Sequence, residues 1–229
     1  MSQAFDFTNT LSLSREPVAI QFSDTAPQGV KRIEKSAASG CSYWKMAAQG
    51  QHFYTEAFDH YGCPIGAHTH GVAMPTEVSA ELEGMIGTMV ELKYLSGDEV
   101  AGILTRKGDF GVAVYGPLSA FDAAPDAVMF SGNPRAMMLL AEAAHAAGIG
   151  CDSSMVGRPT CAAIPRVMQT GLSAINLGCI GNRVYTELDD NELYFVVAGA
   201  KLGVLAEKLS LIANANMQLQ AFHNDRKAG

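Results

Sequence analysis

No two cysteines in this chain are spaced Cys-x-x-Cys, although five are present. That excludes a zinc ribbon and a thioredoxin-type motif. Apolar runs are short too. The richest, Leu193 to Leu205, contains Lys201 and falls below the roughly 18 residues that a bilayer span needs. Charge is sparse, at 17% of residues, and the balance is −7, which speaks against a general nucleic-acid binder and against an anionic membrane surface. Met1 to Thr10 carries neither a basic start nor an apolar core, so no export leader is read there and a cytoplasmic chain is expected. A Walker loop, His-Glu-x-x-His and Gly-x-Ser-x-Gly are all missing. Gly148-Ile-Gly150-Cys-Asp-Ser resembles part of a dinucleotide loop, but it follows a helical segment and lacks the third glycine.

What is present is a 229-residue, 48% hydrophobic chain, long enough to bury a full core without disulfides or metals. The cysteines, at 41, 63, 151, 161 and 179, are odd in number and widely spaced. Structural disulfides are not expected; metal binding, redox chemistry or plain burial remain. Strand and helix signals alternate, which gives an α/β or α+β class. Strands are expected at 18–22, 52–55, 100–105, 111–115, 125–131, 172–177 and 194–197. Helices are expected at 1–14 (within), 41–49, 77–89, 134–147, after Thr160, and 201–222. A dense loop is expected at 60–71 and another at 150–159.

Pro17-Val-Ala-Ile-Gln-Phe-Ser23 and Pro125-Asp-Ala-Val-Met-Phe-Ser131 share Pro-x-Ala-(Ile/Val)-x-Phe-Ser. Each is followed by a cysteine at a helix start (Cys41, Cys161), a glycine stop (Gly50, Gly171), a strand, and a cysteine in a glycine loop (Cys63, Cys179). The expectation is a single domain, 1–229, built from two similar halves around a pseudo-twofold axis. The halves are about 15–120 and 121–200, and a C-terminal helix covers 201–222.

The most unusual stretch is Asn176-Leu-Gly-Cys179-Ile-Gly-Asn-Arg183-Val-Tyr-Thr186. A cysteine between glycines can be approached closely, and Asn182 and Arg183 offer polar and cationic groups to an anion or a sulfur cluster. The bland alternative is a strand-to-helix turn with a small buried hydrophobe. With the echo, Cys41, Cys63, Cys161 and Cys179 become candidate metal ligands, and Arg183, Asn182, Gly66 and Gly181 candidate cofactor-binding residues. Cys151 has no counterpart and is read as a spare thiol. Structural zinc favours close ligand pairs, which are lacking, whereas an iron–sulfur cluster can take single cysteines from separate loops. A thiol at a helix start is also a candidate nucleophile. His68 and His70 form a His-x-His pair. On a strand both rings would point the same way, yet a solvated or hydrogen-bonded pair is the commoner outcome.

Several of these pieces resemble a prokaryotic family catalogued as domain of unknown function 169. They are Pro17-Val-Ala-Ile, Gly40-Cys41 with Ala47-Ala-x-Gly50, Cys63-Pro-Ile-Gly66, Cys161-Ala, and Gly178-Cys179-Ile-Gly-Asn-Arg183 with Tyr185-Thr186. The resemblance supports the integrity of the domain and supplies no reaction. From the residues themselves, the leading expectation is a cytoplasmic metal or iron–sulfur (4Fe–4S) protein with a redox or small-ligand role. Its partner would be a redox protein or a small molecule, not nucleic acid or a membrane, and a homo-oligomer stays open. The alternatives are a metal-free enzyme with Cys41 or Cys161 as thiolate, and a module for haem or another tetrapyrrole; zinc is the alternative metal.

Overall fold

The computed structural model describes residues 5–152 and 159–229. Among them, eight strands form one mixed sheet in the order β2-β3-β4-β1-β5-β8-β7-β6. The strands are β1 (Val18–Ser23), β2 (Lys31–Arg32), β3 (Phe53–Glu56), β4 (Val112–Pro117), β5 (Ala127–Gly132), β6 (Cys151–Asp152), β7 (Ser173–Asn176) and β8 (Leu193–Ala198). The central strands are apolar on both faces, as a covered sheet requires: β4 is buried throughout, and β5 and β8 nearly so.

The pairing runs outward from the middle. β1 pairs with β4, β4 with β3 and β3 with β2; the first two pairings are antiparallel and the last parallel. β5 pairs with β8, β8 with β7 and β7 with β6, with the same senses. β1 and β5 join the two sets antiparallel, with Ala19 opposite Val128 and Ile20 opposite Ala127.

Side-chain alternation along the strands sorts the core into two layers. On one face Ile20, Ala113, Tyr115, Ala127, Met129 and Val196 pack against helices α2 (Gly40–Ala48) and α7 (Ala163–Thr170). On the other, Val128, Phe130, Phe195 and Val197 meet α1 (Phe7–Leu11), α6 (Pro134–Ala146) and α9 (Leu202–Ala228). Fully buried side chains such as Phe130, Phe195 and Leu140 each contribute about 1.5–3 kcal/mol of apolar burial. α6 begins as the sequence implies, with the Asn133 side chain accepting from Ala136 N and Pro134 at the first helical position. Gly171, in the left-handed region, closes α7.

Several expectations need correction. The segment expected as a dense loop contains α3 (Pro64–His70), because Pro64 occupies a first-turn position and Cys63 the N-cap. The strand expected at 100–105 is not formed. A capping box between Ser96 and Glu99 instead starts α5 (Gly97–Ala101), and the residues after it are irregular. The helix expected at 77–89 is α4 (Thr76–Glu91), which starts one residue earlier, with Pro75 at the N-cap. α9 continues past 222 to Ala228. Of the loop expected at 150–159, Cys151 and Asp152 form β6, and 153–158 lie outside the described residues. Among the described residues, no helix is long and apolar enough to cross a membrane.

Candidate functional site

Each of the four echoed cysteines sits where a helix begins. Cys41 is the second residue of α2, behind the N-cap Ser39, and Cys63 is the N-cap of α3. Cys161 lies in a single 3-10 turn, Thr160–Ala162, that leads into α7, and Cys179 is the N-cap of α8 (Ile180–Thr186). Cys179 Sγ accepts from Asn182 N at 3.4 Å. Two hydroxyls tie the cysteine segments together in pairs. Ser39 Oγ accepts from Cys41 N at 3.3 Å and donates to Cys63 Sγ at 3.7 Å. Thr160 Oγ1 accepts from Cys179 N at 2.7 Å, next to Cys161 in the chain. Sequence reasoning passed over both hydroxyls; a Ser or Thr one or two residues before Cys41 and Cys161 was the available signal.

All four cysteines line one cavity of about 300 Å³. Gly66, Gly181, Asn182 and His68 line it too, so the named candidates converge with the exception of Arg183, which is absent from the lining. Glycine matters at two nearby points. A Cβ at Gly66 would stand 3.1 Å from Cys63 Sγ, and Gly178, at φ +78°, leaves 3.0 Å to the Asn182 side-chain oxygen. The far wall is apolar: Leu82, Met85, Ile86 and Met89 of α4, with Leu95, Val100 and Ile103 beyond it. Among the described residues, no Asp, Glu, Lys or Arg side chain lines the cavity.

Burial governs the thiols. Cys41 is pushed up to about 12 chiefly by loss of solvent; the Asn182 amide and Ser39 oppose this, while the neighbouring Cys63 and Cys179 reinforce it. Cys161 is raised well above the usual thiol range by burial and by Cys41 and Cys63. Both are therefore neutral thiols near pH 7 and weak nucleophiles unless a metal displaces the proton. The Asn182 side chain is 1% exposed, and neither of its polar atoms has a hydrogen bond of standard geometry. Its looser contacts, to the Cys41 thiol and the Tyr194 hydroxyl, leave the amide able to turn to an acceptor in the cavity that it lines. Among the described residues, no three His, Cys, Asp or Glu side chains are grouped closely enough to hold a single metal ion.

The other candidates have structural positions. Arg183 donates to the carbonyls of Leu177, Asp189 and Glu192, clamping the loop that leads into β8. His68 and His70 lie on a helix, not a strand, so residues two apart point to different sides: His68 is exposed at the cavity, and His70 is buried in the core. His70 packs edge-on to Phe22, has no partner on either ring nitrogen, and is lowered to about 3 by burial, then by His60 and Arg106. Cys151 is exposed on β6, outside the cavity.

An α/β protein with one cysteine-lined, otherwise apolar cavity is thus defined. A family model covers residues 6–208, and the chain belongs to that family, DUF169, described as an uncharacterised ArCR. No curated protein and no solved structure matches it.

Proposed function

We propose that the cavity holds an iron–sulfur cluster, of the 4Fe–4S type, ligated by Cys41, Cys63, Cys161 and Cys179, in a cytoplasmic protein with a redox or small-ligand role. The carrying observation is that four cysteines scattered over 139 residues of sequence line a single cavity and come from four separate helix starts. The fit is chemical. Four thiols from separate segments, with no close pair in the sequence, suit a multinuclear cluster better than one zinc ion, whose ligands come in close pairs and converge on bonds of about 2.3 Å. Such a cluster supplies one-electron exchange or a Lewis-acidic iron when bound. Around it, helix-start N–H groups offset negative charge, and the buried Asn182 amide, which has no hydrogen bond of standard geometry, lines the same space. The apolar walls exclude water.

A metal-free thiolate enzyme is the weaker reading, because burial keeps Cys41 and Cys161 protonated. A tetrapyrrole is favoured only by the apolar lining and by His68 at its rim.

We also infer that the site is built on two related halves. Lys31 pairs with Phe53 and Cys151 with Ser173, each 22 residues further on. Cys41 and Cys161 each come ten residues after the first member of those pairs. Equating Ala19 with Ala127, as the echo does, turns the Ala19–Val128 pair into the Ile20–Ala127 pair that also exists. These registers support a pseudo-twofold between β1 and β5.

The test is purification without air followed by spectroscopy and iron and sulfide analysis. A broad band near 400 nm with about four iron and four sulfide per chain is expected. A sharp Soret band would move the tetrapyrrole forward; a colourless, metal-free protein that cannot be reconstituted would leave the cluster reading without support.

A further inference from the structure

We propose that the space between the cysteines and α4 binds a small, uncharged, apolar molecule. The ligand class follows from the roof and not from the cluster; the ligand's place beside a metal rests on the cluster reading.

The roof is a helix whose apolar residues recur at Leu82, Met85, Ile86 and Met89, three and four apart, all facing the cavity. Only Leu82 of α4 is buried; Met85, Ile86 and Met89 stay partly accessible, as residues do when the space beneath them is open. A stripe of this kind normally buries itself in a core, and here it faces a cavity of about 300 Å³, the lower end of the range for small-molecule pockets. With no Asp, Glu, Lys or Arg in the lining, an anionic or cationic ligand deep in the space would lose its hydration without a carboxylate, ammonium or guanidinium to pair with. Apart from the thiols, the polar groups present are the hydroxyls of Ser39, Thr69, Thr160, Tyr94 and Tyr185, the Asn182 amide and, exposed at the rim, the His68 imidazole. Two methionines suit an irregular apolar guest, since their unbranched side chains adapt to its shape.

The roof also provides a route in. α4 carries Gly84 and Gly87 in its interior, and a Cβ at either would meet no atom within 4 Å, so packing does not require them. Interior glycines weaken a helix, and a helix anchored by one buried side chain opens at low cost.

The test uses the full chain purified without air and two probes that share a ring system, naphthalene and 2-naphthoate, in equilibrium dialysis. Naphthalene is expected to bind saturably at about one per chain, and 2-naphthoate at least about tenfold more weakly. Met85→Trp and Ile86→Trp, which fill the space from the partly accessible side, should each weaken naphthalene at least about tenfold while iron content and circular dichroism stay unchanged. Equal binding of the two probes, no saturable naphthalene binding, or binding unaffected by both folded variants would overturn the proposal. The two readings separate cleanly. Iron-replete protein that ignores naphthalene sinks the apolar site alone. Iron-free protein that binds it and loses it in the tryptophan variants sinks the cluster alone.

Discussion

The first four strands and the last four share a pairing order, yet they connect their strands differently. Between β7 and β8 the chain spends residues 177–192 on one short helix, α8. Between β3 and β4 it spends residues 57–111 on a 3-10 turn and three helices, α3, α4 and α5. α3 matches α8, since each has an N-cap cysteine. The surplus is α4 and α5, and it becomes the roof of the cavity. The last four strands put their surplus elsewhere, into α6 and α9 on the opposite face. Each set of strands, with the helix starts around it, supplies two cysteines to the cavity. The helices that only the first set carries wall the cavity on one side.

The largest effect expected from breaking this arrangement is at the close of β8. A Cβ on Gly199 would lie 1.7 Å from the Pro125 carbonyl oxygen. Gly199→Ala should therefore cost more than about 3 kcal/mol in chemical denaturation, or abolish folding. Gly181→Ala, whose Cβ meets no atom within 4 Å, should leave stability near wild type. Equal stability of the two variants would contradict the packing described for β8.

Acid sensitivity that comes from buried histidines should belong to the first set of strands. Its helices bury His60 and His70, lowered by burial to about 4 and about 3, whereas the histidines of the second, His145 and His223, are exposed. Both buried rings are neutral in the fold and gain protons near pH 6.5 when unfolded. Stability is thus full above about pH 6.5. It falls with pH by up to about 1.4 kcal/mol per unit for each ring, until the native rings protonate near 4 and 3. His70→Phe, in surroundings that include Phe22, should remove one of the two protons taken up on unfolding at pH 5. Denaturation at pH 7 and pH 5 checks this, and an unchanged slope in the variant would refute it.

The smallest effect sharpens the contrast between roof and floor. Gly84→Ala should stabilise α4 by about 0.5–1 kcal/mol, which slows hydrogen exchange of its amides by roughly two- to fivefold. Exchange in β8 should not change. Slowing spread evenly over both would mean that the roof is not a separate opening unit.

Much of this was legible in the sequence where the signal is local. The strands at Val18 and Ala127, the caps at Asn133 and Gly171, and the cysteines at helix starts all follow from residue chemistry within a few positions. The site was half legible. The repeated order of cysteines anticipated a common cavity, which the fold provides. Arg183 lies outside the lining because, although its spacing from Cys179 is right for a helix neighbour, the Leu177 carbonyl before α8 and the Asp189 and Glu192 carbonyls after it hold its guanidinium. The roof was not anticipated at all. Its stripe at 82, 85, 86 and 89 is visible in sequence, but a stripe does not say whether it faces a packed core or a space. α3 was missed because glycine and proline crowd Cys63 to Gly71, and Pro64 starts a helix there instead of preventing one.

The central claim is that cysteines from both sets of strands hold one cluster. Iron per chain, measured on anaerobically purified protein for five single serine variants, tests it most directly. Cys41→Ser, Cys63→Ser, Cys161→Ser and Cys179→Ser should each lose most of the iron and the band near 400 nm. Cys151→Ser, altered at the exposed thiol of β6, should keep the wild-type content. Loss confined to the two cysteines of one set, or full iron retention in any of the four cavity variants with the fold intact, would contradict a cluster shared between them.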